Sequence, residues 1–179
     1  MKKRHTISIF TENEVGLLHR VIIIFTRRHI NIESINASQS ELEGVYRYTI
    51  VVNESEELVR KVVKQIEKQV EIIKSFYHVD EETVFQEVAL YKLPIEVLQQ
   101  GQDLEQIIRE NNARILTMEP EFVIVEKTGH KEETSALFDI LQPFGLLEFV
   151  RSGRVSLTRT TENVSQYLKE LELAQEDNC

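Results

Sequence analysis

The sequence predicts an α+β protein built from two modules that share one order of elements, β-α-β-β-α-β. Apolar residues switch between a period of two and a period near 3.6 in that order, first over residues 1–80 and again over residues 81–179. The polar run Asp80-Glu81-Glu82 separates the two stretches. The length of 179 residues suits two small domains as well as one of ordinary size.

The first module begins with a strand over residues 4–11, where Ile7 and Ile9 alternate with polar residues as in a half-buried strand. Residues 15–28 have the apolar spacing of a helix and end in positive charge, which a helix C-terminus favours. A hairpin over 30–39 and 45–52 follows, then a helix over 54–69 and a strand over 70–79. This is the ferredoxin-like arrangement, in which two helices cover one face of an antiparallel sheet.

The second module repeats this order with a different sequence. A strand over residues 84–93 ends at Pro94, and a segment interrupted at Gly101 leads to a helix near 103–112. A hairpin over 113–118 and 122–128, a helix over 131–141 and strands over 146–151 and 155–160 follow. A tail helix is expected from Glu162 to about Ala174. We therefore expect a C-terminal ferredoxin-like domain that carries its own C-terminal helix.

Composition indicates a folded protein without a membrane anchor. Apolar residues make up 41% of the chain and charged residues 28%, as in globular proteins. No apolar run approaches the roughly 18 to 20 residues that cross a bilayer, and the N-terminus lacks the apolar segment of a signal peptide. The single cysteine, Cys179, excludes a disulfide within one chain. We expect a cytoplasmic protein.

The net charge of −9 is distributed unevenly between the modules. Residues 1–80 carry 12 Lys and Arg against 11 Asp and Glu, whereas residues 81–179 carry 9 against 19. An acidic second half repels phosphate backbones, which argues against general nucleic-acid binding. We expect this half to be a dimerising or docking module whose partner is a protein.

No motif in the sequence predicts catalysis by this chain. The five histidines have no metal-binding spacing, and the glycine-rich loops of dinucleotide and phosphate sites are absent. Carboxylate pairs such as Glu132-Glu133 open predicted helices, where acidic side chains offset the helix dipole. Tyr46 and Tyr48 have strand spacing, but the basic and glycine residues of a base-stacking RNA-binding sheet do not flank them. We therefore expect no catalytic and no metal site.

One group of residues is suited to bind a small carboxylate. The turn from the first strand into the first helix contains Asn13 and Gly16, and Asn31 follows the helix. A helix N-terminus offers unpaired N–H groups to a carboxylate, and Gly16 in the first turn leaves room beside them. The amides of Asn13 and Asn31 suit an α-amino and α-carboxylate pair. An ordinary turn also explains these residues, with Asn13 as the helix N-cap.

The same residues resemble a known family. The run from Glu12 to Val21, followed by Phe25 and Asn31-Ile32-Glu33-Ser34-Ile35, is similar to the ACT domain of the small, regulatory subunit of acetolactate (acetohydroxyacid) synthase. The second half resembles that family's C-terminal domain in the same order, through Asn112-Ala113-Arg114-Ile115-Leu116, Val125-Glu126-Lys127-Thr128-Gly129, Phe149-Val150-Arg151-Ser152-Gly153 and Leu157-Thr158-Arg159. The resemblance covers nearly the whole chain.

This resemblance implies a non-catalytic subunit that docks on a large catalytic subunit and raises its activity. The large subunit of the family uses thiamine diphosphate, Mg²⁺ and FAD, so we expect no cofactor in this chain. The resemblance also implies a homodimer whose ACT domains pair side by side, with a branched-chain amino acid, usually valine, bound at the interface as a feedback inhibitor. The positions that match the family's effector site are Asn13, Val15, Gly16, Leu17, Leu18, Asn31, Ile32 and Ser38.

Two positions depart from the family pattern, because many members have glycine where this chain has Ile23 and His29. Glycine commonly supplies a left-handed cap after a helix, and His29 can adopt that conformation at some cost. Since His29 adjoins Asn31, the identity of the effector and the strength of the response stay open. The alternative functions are an ACT regulator of another metabolic enzyme, a ferredoxin-like enzyme that turns over in isolation, and an RNA-binding module, which the charge disfavours.

Overall fold

The structure is a computed structural model that describes residues 1–99 and 104–160. The chain divides into two compact units. The first unit contains residues 1–84 and the described residues from Ser156 on, and the second unit contains residues 85–155. The interruption predicted at Gly101 and the helix predicted from Glu162 lie outside the described residues. No helix within the described ranges is long and apolar enough to cross a membrane.

The first unit contains a four-stranded antiparallel sheet and two helices. Its elements are β1 (Lys2–Glu12), α1 (Leu17–Arg27), β2 (Ile32–Gln39), β3 (Val45–Ser55), α2 (Glu56–Ile66) and β4 (Ile72–Val79). The strands lie in the order β2-β3-β1-β4, so each helix connects two strands that have one strand between them. This is the order of the ferredoxin-like fold, and it confirms the fold predicted for the first module.

Both helices bury one apolar stripe against the same face of this sheet. The buried residues are Leu17, Val21, Ile24 and Phe25 in α1 and Val59, Val62, Val63 and Ile66 in α2. Spacings of three and four residues place each set on one side of its helix. Ile7, Ile9 and Ile50 of the sheet are fully buried in the same core. Full burial of such a side chain contributes about 1.5 to 3 kcal/mol to folding.

The opposite face of the sheet is also buried at its centre, which the sequence does not predict. Thr6 and Ser8 of β1 and Thr49 and Val51 of β3 are each at most 5% exposed. Thr6 pairs with Val51 and Ser8 with Thr49, so the four side chains form two adjacent rows on that face. Polar Ser and Thr residues at alternate positions suggest a solvent-facing side. The prediction of a half-buried first strand is therefore wrong at the centre of β1.

A second sheet has the same strand order. Its elements are β5 (Thr83–Pro94), α3 (Glu96–Gln99), α4 (Leu104–Glu110), β6 (Arg114–Met118), β7 (Phe122–Gly129), α5 (Lys131–Leu141), β8 (Glu148–Arg151) and β9 (Val155–Thr158). The strands lie in the order β6-β7-β5-β8, and β9 also pairs with β5. This repeat of the first sheet's order confirms the second ferredoxin-like module, and α5 has the predicted bounds.

The bounds of most elements differ from the predicted ones by one to three residues, and the starts of α1 and α2 and the presence of α3 have local reasons. α1 begins at Leu17 instead of residue 15, because Gly16 has a left-handed backbone. α2 begins at Glu56 instead of residue 54, because β3 still pairs with β1 at Ser55, opposite Lys2. The sequence does not predict α3, since its four residues are too few to show a helical period.

The helices α1 and α4 end in the same left-handed turn. His29 (φ 54°) and Asn112 (φ 50°) are the non-glycine residues with positive φ in the described part of the chain. After His29, the Ile30 amide donates to the Phe25 carbonyl at 3.1 Å, and the corresponding bond after Asn112 is 2.9 Å. A bond of this span after a left-handed residue is the Schellman pattern. His29 therefore has the left-handed conformation expected at a position where glycine is common.

Replacing His29 by glycine is expected to raise the free energy of unfolding by about 0.5 to 1 kcal/mol. A side chain in the left-handed region costs about 1 to 2 kcal/mol, and the freedom of glycine in the unfolded chain offsets part of the gain. Urea unfolding measures the difference. Arg27→Gly is the control, because Arg27 lies within α1, where glycine costs about 1 kcal/mol. Shifts of the same sign in both variants would contradict the assigned strain.

The core of the second unit contains the hydroxyl group of Tyr91 on β5. Tyr91 is fully buried, and its hydroxyl donates to the Thr134 carbonyl of α5 at 2.6 Å. Burial raises the pKa of Tyr91 to about 12, although the charge of Arg151 opposes part of this effect. The hydrogen bond joins a central strand of the sheet to the helix that covers it.

The stability of the protein is expected to fall between about pH 10 and pH 12 because of Tyr91. Its folded-state pKa lies above that of an unfolded tyrosine, about 10, so its contribution is complete below pH 10 and is lost as the pH rises through about 12. Tyr91→Phe should lower the free energy of unfolding by about 1 kcal/mol at neutral pH and make the alkaline decline shallower. Urea unfolding across this range measures both effects, and parallel alkaline profiles would refute the prediction.

Candidate effector-binding site

The turn between β1 and α1 is exposed and ends in a left-handed glycine. Residues 13–16 are all exposed, and Gly16 has φ 82° and ψ −3°. A Cβ atom at Gly16 would meet no atom within 4 Å, so backbone conformation, and not packing, requires glycine here. Gly16 is the N-cap of α1, and its carbonyl accepts the Arg20 amide at 3.1 Å. The predicted place of Gly16 in the first helical turn is therefore wrong, and so is the alternative interpretation in which Asn13 is the N-cap.

The N-terminus of α1 lacks the carboxylate that the other described helices have. α1 has no acidic residue in its first turn and no side-chain cap, whereas α2, α3, α4 and α5 each have an acidic residue there. In α5 the Glu133 carboxylate accepts the His130 amide at 2.6 Å, as expected of an acidic residue that opens a helix. The Leu18 and His19 N–H groups lie in the first turn of α1 and have no intrahelical acceptor. They can therefore donate hydrogen bonds to an external carboxylate.

The apolar residues of the predicted site differ in exposure. Leu17 is fully buried in the core of the first unit, so its side chain offers no surface to a ligand. Leu18 and Ile32 are half-buried and pack against the same core. Val15 is 97% exposed in the turn. An apolar ligand group beside the turn would therefore contact Val15 and Leu18.

Asn31 and Ile32 lie at the opposite end of the sheet from the turn. Ile32 pairs with Val52, which pairs with His5 near the start of β1. The turn follows Glu12, at the other end of β1. The strand from His5 to Glu12 spans about 23 Å at a rise of about 3.3 Å per residue. Within one chain, Asn31 therefore does not meet the residues of the turn around one amino acid.

Ser38 lies on the edge strand β2, near the same end of the sheet as the turn. It is exposed and pairs with Arg47 of β3, which pairs with Phe10 of β1, two residues before that strand ends. β2 is exposed along most of its length and has one strand neighbour, β3, in the described sheet. The predicted site residues thus form two groups, the turn with Ser38 at one end and Asn31 with Ile32 at the other.

Sequence reasoning missed two arginine contacts in this unit. The Arg20 Nη1 atom of α1 lies 2.8 Å from the Glu71 Oε1 atom, which ties the start of α1 to the connection before β4. Arg47, the register partner of Ser38, donates to the Ser8 hydroxyl at 3.1 Å. A lone charge within the strand predicted at 45–52 is a signal that marks Arg47. Nothing in the sequence pairs Arg20 with a residue 51 positions away.

The chemistry available at the turn is binding. Besides the solvated carboxylates of Glu12 and Glu14, the turn presents backbone amides, the Asn13 amide and apolar surface. N–H donors bind a carboxylate, and the amide of asparagine can also accept a hydrogen bond from an amino group. Across residues 1–99 and 104–160, no three His, Cys, Asp or Glu side chains form a group that could hold a metal ion.

Family models match both sheets of the chain. Residues 7–74 match the model described as the AHAS small subunit-like ACT domain. Residues 86–160 match the model described as the small subunit of acetolactate synthase. The two matches follow one another in the order that the resemblance predicts.

Individual relatives cover nearly the whole chain. The acetolactate synthase small subunit of Mycobacterium bovis is 36% identical over 157 residues, which are 88% of this chain and 93% of the relative. That of Bacillus subtilis is 31% identical over 160 residues, which are 89% and 92%. The crystal structure of the acetolactate synthase small subunit from Thermotoga maritima has a TM-score of 0.79 at 28% identity and covers 89% of this chain and 99% of its own. The chain therefore belongs to the family of acetolactate synthase small subunits.

Proposed function

We propose that this protein is a regulatory subunit of acetolactate synthase without catalytic activity of its own. It binds the large catalytic subunit, raises its activity and confers feedback inhibition by valine or another branched-chain amino acid. The complex is cytoplasmic, and its thiamine diphosphate, Mg²⁺ and FAD belong to the catalytic partner. The observation that carries the proposal is the pair of family matches at residues 7–74 and 86–160, one in each module.

The carboxylate of the effector binds at the N-terminus of α1 in this proposal. The first amides and the dipole of the helix favour a negative charge there, and α1 has no acidic first-turn residue to compete for them. Gly16 leaves the approach to these amides open, because it has no side chain and no other atom lies within 4 Å of the place that a Cβ atom would take. Asn13 binds the α-amino group, and the apolar side chain of the effector lies against Val15 and Leu18.

A second protomer completes the proposed site. Because Asn31 and Ile32 lie about 23 Å along the sheet from the turn, by the rise of a strand, they bind an effector held by the turn of another protomer. The exposed edge of β2 supports this pairing, since its free N–H and C=O groups can bond to a second copy. Antiparallel pairing of two β2 strands brings the start of each close to the end of the other. The homodimer through ACT domains has this arrangement.

Linkage explains how such a site regulates the complex. An effector held by two protomers binds one arrangement of the dimer more tightly than another, and it biases the complex by the ratio of the two affinities. Couplings of this kind are typically about 1 to 3 kcal/mol, or about 5- to 150-fold. The effector therefore senses the geometry between protomers, and the large subunit responds to that geometry.

Reconstitution with the large subunit tests the proposal. The chain is mixed with its cognate large subunit, and acetolactate formation is measured during titration with valine, leucine and isoleucine. We expect the chain alone to be inactive, to raise the activity of the large subunit and to make it sensitive to at least one of the three. Activation without any amino-acid response would keep the subunit assignment and remove the sensor. Absence of activation would overturn both.

A further inference from the structure

Arg47 connects the edge of the first sheet to β9. It lies on β3, in register with Ser38 of β2 and with Phe10 of β1. Its Nη2 atom donates to the Ser8 hydroxyl at 3.1 Å and to the Ser156 carbonyl of β9 at 2.5 Å. The central guanidinium carbon lies 5.3 Å from the centre of the Phe10 ring. All of these residues belong to the first unit.

The partners of the Arg47 guanidinium are neutral groups. They are a hydroxyl, a carbonyl and an aromatic ring, and the Nε atom is buried with no hydrogen-bond partner among the described residues. Burial lowers the pKa of Arg47, and the charge of Glu41 offsets part of this effect. Moving a cation out of water costs free energy, and this cost offsets part of what the contacts with neutral groups contribute.

Ser156 lies where the chain returns from the second unit to the first. The second unit contains residues 85–155, so the chain enters it after Val84 in β5 and leaves it before Ser156 in β9. The two connecting strands are paired, and the Arg159 amide donates to the Glu82 carbonyl at 2.9 Å. Arg47 therefore holds one of the two chain connections between the units.

Arg47 is also adjacent to a residue of the predicted effector site. Ser38 is its register partner, and residues directly opposite on neighbouring strands have Cβ atoms about 4.5 to 5.5 Å apart. An effector that binds beside Ser38, as in the proposed function, contacts β2, and Arg47 lies on the strand next to it. One side chain thus adjoins both the strand at the effector site and the strand that comes from the second unit.

We propose that Arg47 is a positioning residue that couples effector binding to β9. This inference rests on the proposed function. The hydrogen bond from Arg47 to the Ser156 carbonyl is intact in one regulatory state and weakened in the other. Because the effector binds the two states with different affinities, the position of β9 follows effector occupancy. The second unit senses this change through the chain that joins it to Ser156.

Arg47→Met tests the coupling, and Ser8→Ala is the matched control. Methionine keeps an apolar stem beside Phe10 but removes both hydrogen bonds, whereas Ser8→Ala removes one and leaves the bond to Ser156. For each protein we would measure effector affinity by calorimetry and maximal inhibition of the reconstituted enzyme. We would also measure deuterium uptake of residues 155–160 with and without effector. The ligand is whichever of valine, leucine and isoleucine inhibits the wild-type complex.

We expect Arg47→Met to bind the effector within about threefold of the wild type but to lose more than about half of the maximal inhibition. Its residues 155–160 should lose the effector-dependent change in deuterium uptake, while Ser8→Ala keeps both responses. Arg47→Lys, which restores the charge and one donor, should restore part of the inhibition and decides the test if Arg47→Met does not fold.

The inference would be overturned if Arg47→Met were still fully inhibited and its residues 155–160 kept the effector-dependent change in deuterium uptake of the wild type. Equal losses in Arg47→Met and Ser8→Ala would also overturn it, because they would indicate a general structural effect. A wild-type complex that none of the three amino acids inhibits would instead overturn the sensor part of the proposed function. The two failures are therefore distinguishable.

Discussion

Gly16→Asp is expected to abolish the amino-acid response, with a loss of effector affinity of about a hundredfold or more. The new carboxylate stands beside the first amides of α1, where the carboxylate of the effector binds in the proposed site. Two like charges about 4 Å apart repel by about 1 kcal/mol in water and about 4 kcal/mol at an effective dielectric constant of 20. The folded chain itself has room for the new side chain, because a Cβ atom at Gly16 meets no atom within 4 Å, so the expected loss comes from conflict with the effector.

Gly16→Asn is the control that separates charge from backbone strain. Aspartate and asparagine have nearly the same shape, and both tolerate a positive φ better than most residues do. We expect Gly16→Asn to lose no more than about tenfold in affinity, or about 1.4 kcal/mol. Calorimetric titration measures both affinities, and thermal unfolding shows whether both variants keep the fold. Equal losses would assign the effect to the backbone or to the volume of the side chain instead of its charge, and a normal response in Gly16→Asp would remove α1 from the site.

Asn13→Ala and Asn31→Ala are each expected to weaken effector binding by about 10- to 100-fold, although the two residues lie at opposite ends of one sheet. A hydrogen bond to a charged group contributes about 1.5 to 3 kcal/mol, and each asparagine supplies one in the proposed site. Asn53→Ala is the control, because Asn53 is exposed on β3 and belongs to neither group of site residues. Unchanged affinity in either site variant would remove that residue from the site.

The order of helices and strands is predictable from this sequence because the apolar period is clear in nearly every element. The buried stripes of α1 and α2 follow helical spacing, and α5 begins and ends where its period does. The rules for β-α-β-β-α-β chains then give the strand order of both sheets. The burial of Thr6 and Ser8 could not be predicted, because polar residues at alternate positions also fit a solvent-facing side.

The detailed geometry of the candidate site is less accessible to sequence reasoning. The sequence around Gly16 fits a glycine in the first turn of α1 as well as a glycine at its N-cap. Only the φ angle of Gly16 distinguishes the two positions. The contact from Arg47 to Ser156 joins residues 109 positions apart, for which the sequence has no signal. By contrast, the left-handed turn at His29 agrees with the resemblance, which places a glycine of many family members at this position.

Resemblance groups Asn13 and Asn31 in one site, but it does not say which chain supplies each of them. The register of β1, β2 and β3 separates the two residues within one chain by most of the length of the sheet. This separation depends on strand direction and pairing, which the spacing of residues along the chain does not contain. The central claim that follows is that each effector site takes residues from two protomers.

Mixed dimers of Asn13→Ala and Asn31→Ala chains test this claim most directly. If one protomer supplies Asn13 and the other supplies Asn31, a mixed dimer has one site with both substitutions and one site with neither. Co-expression of two differently tagged chains and sequential purification on both tags gives the mixed dimer. Calorimetry then measures the number of effector molecules bound and their affinity.

We predict that the mixed dimer binds about half as many effector molecules as the wild type, with wild-type affinity, because a two-fold symmetric dimer has two equivalent sites. Both parent variants should bind weakly at every site. A mixed dimer that binds as weakly as its parents would contradict the claim, because each site would then lie within a single protomer.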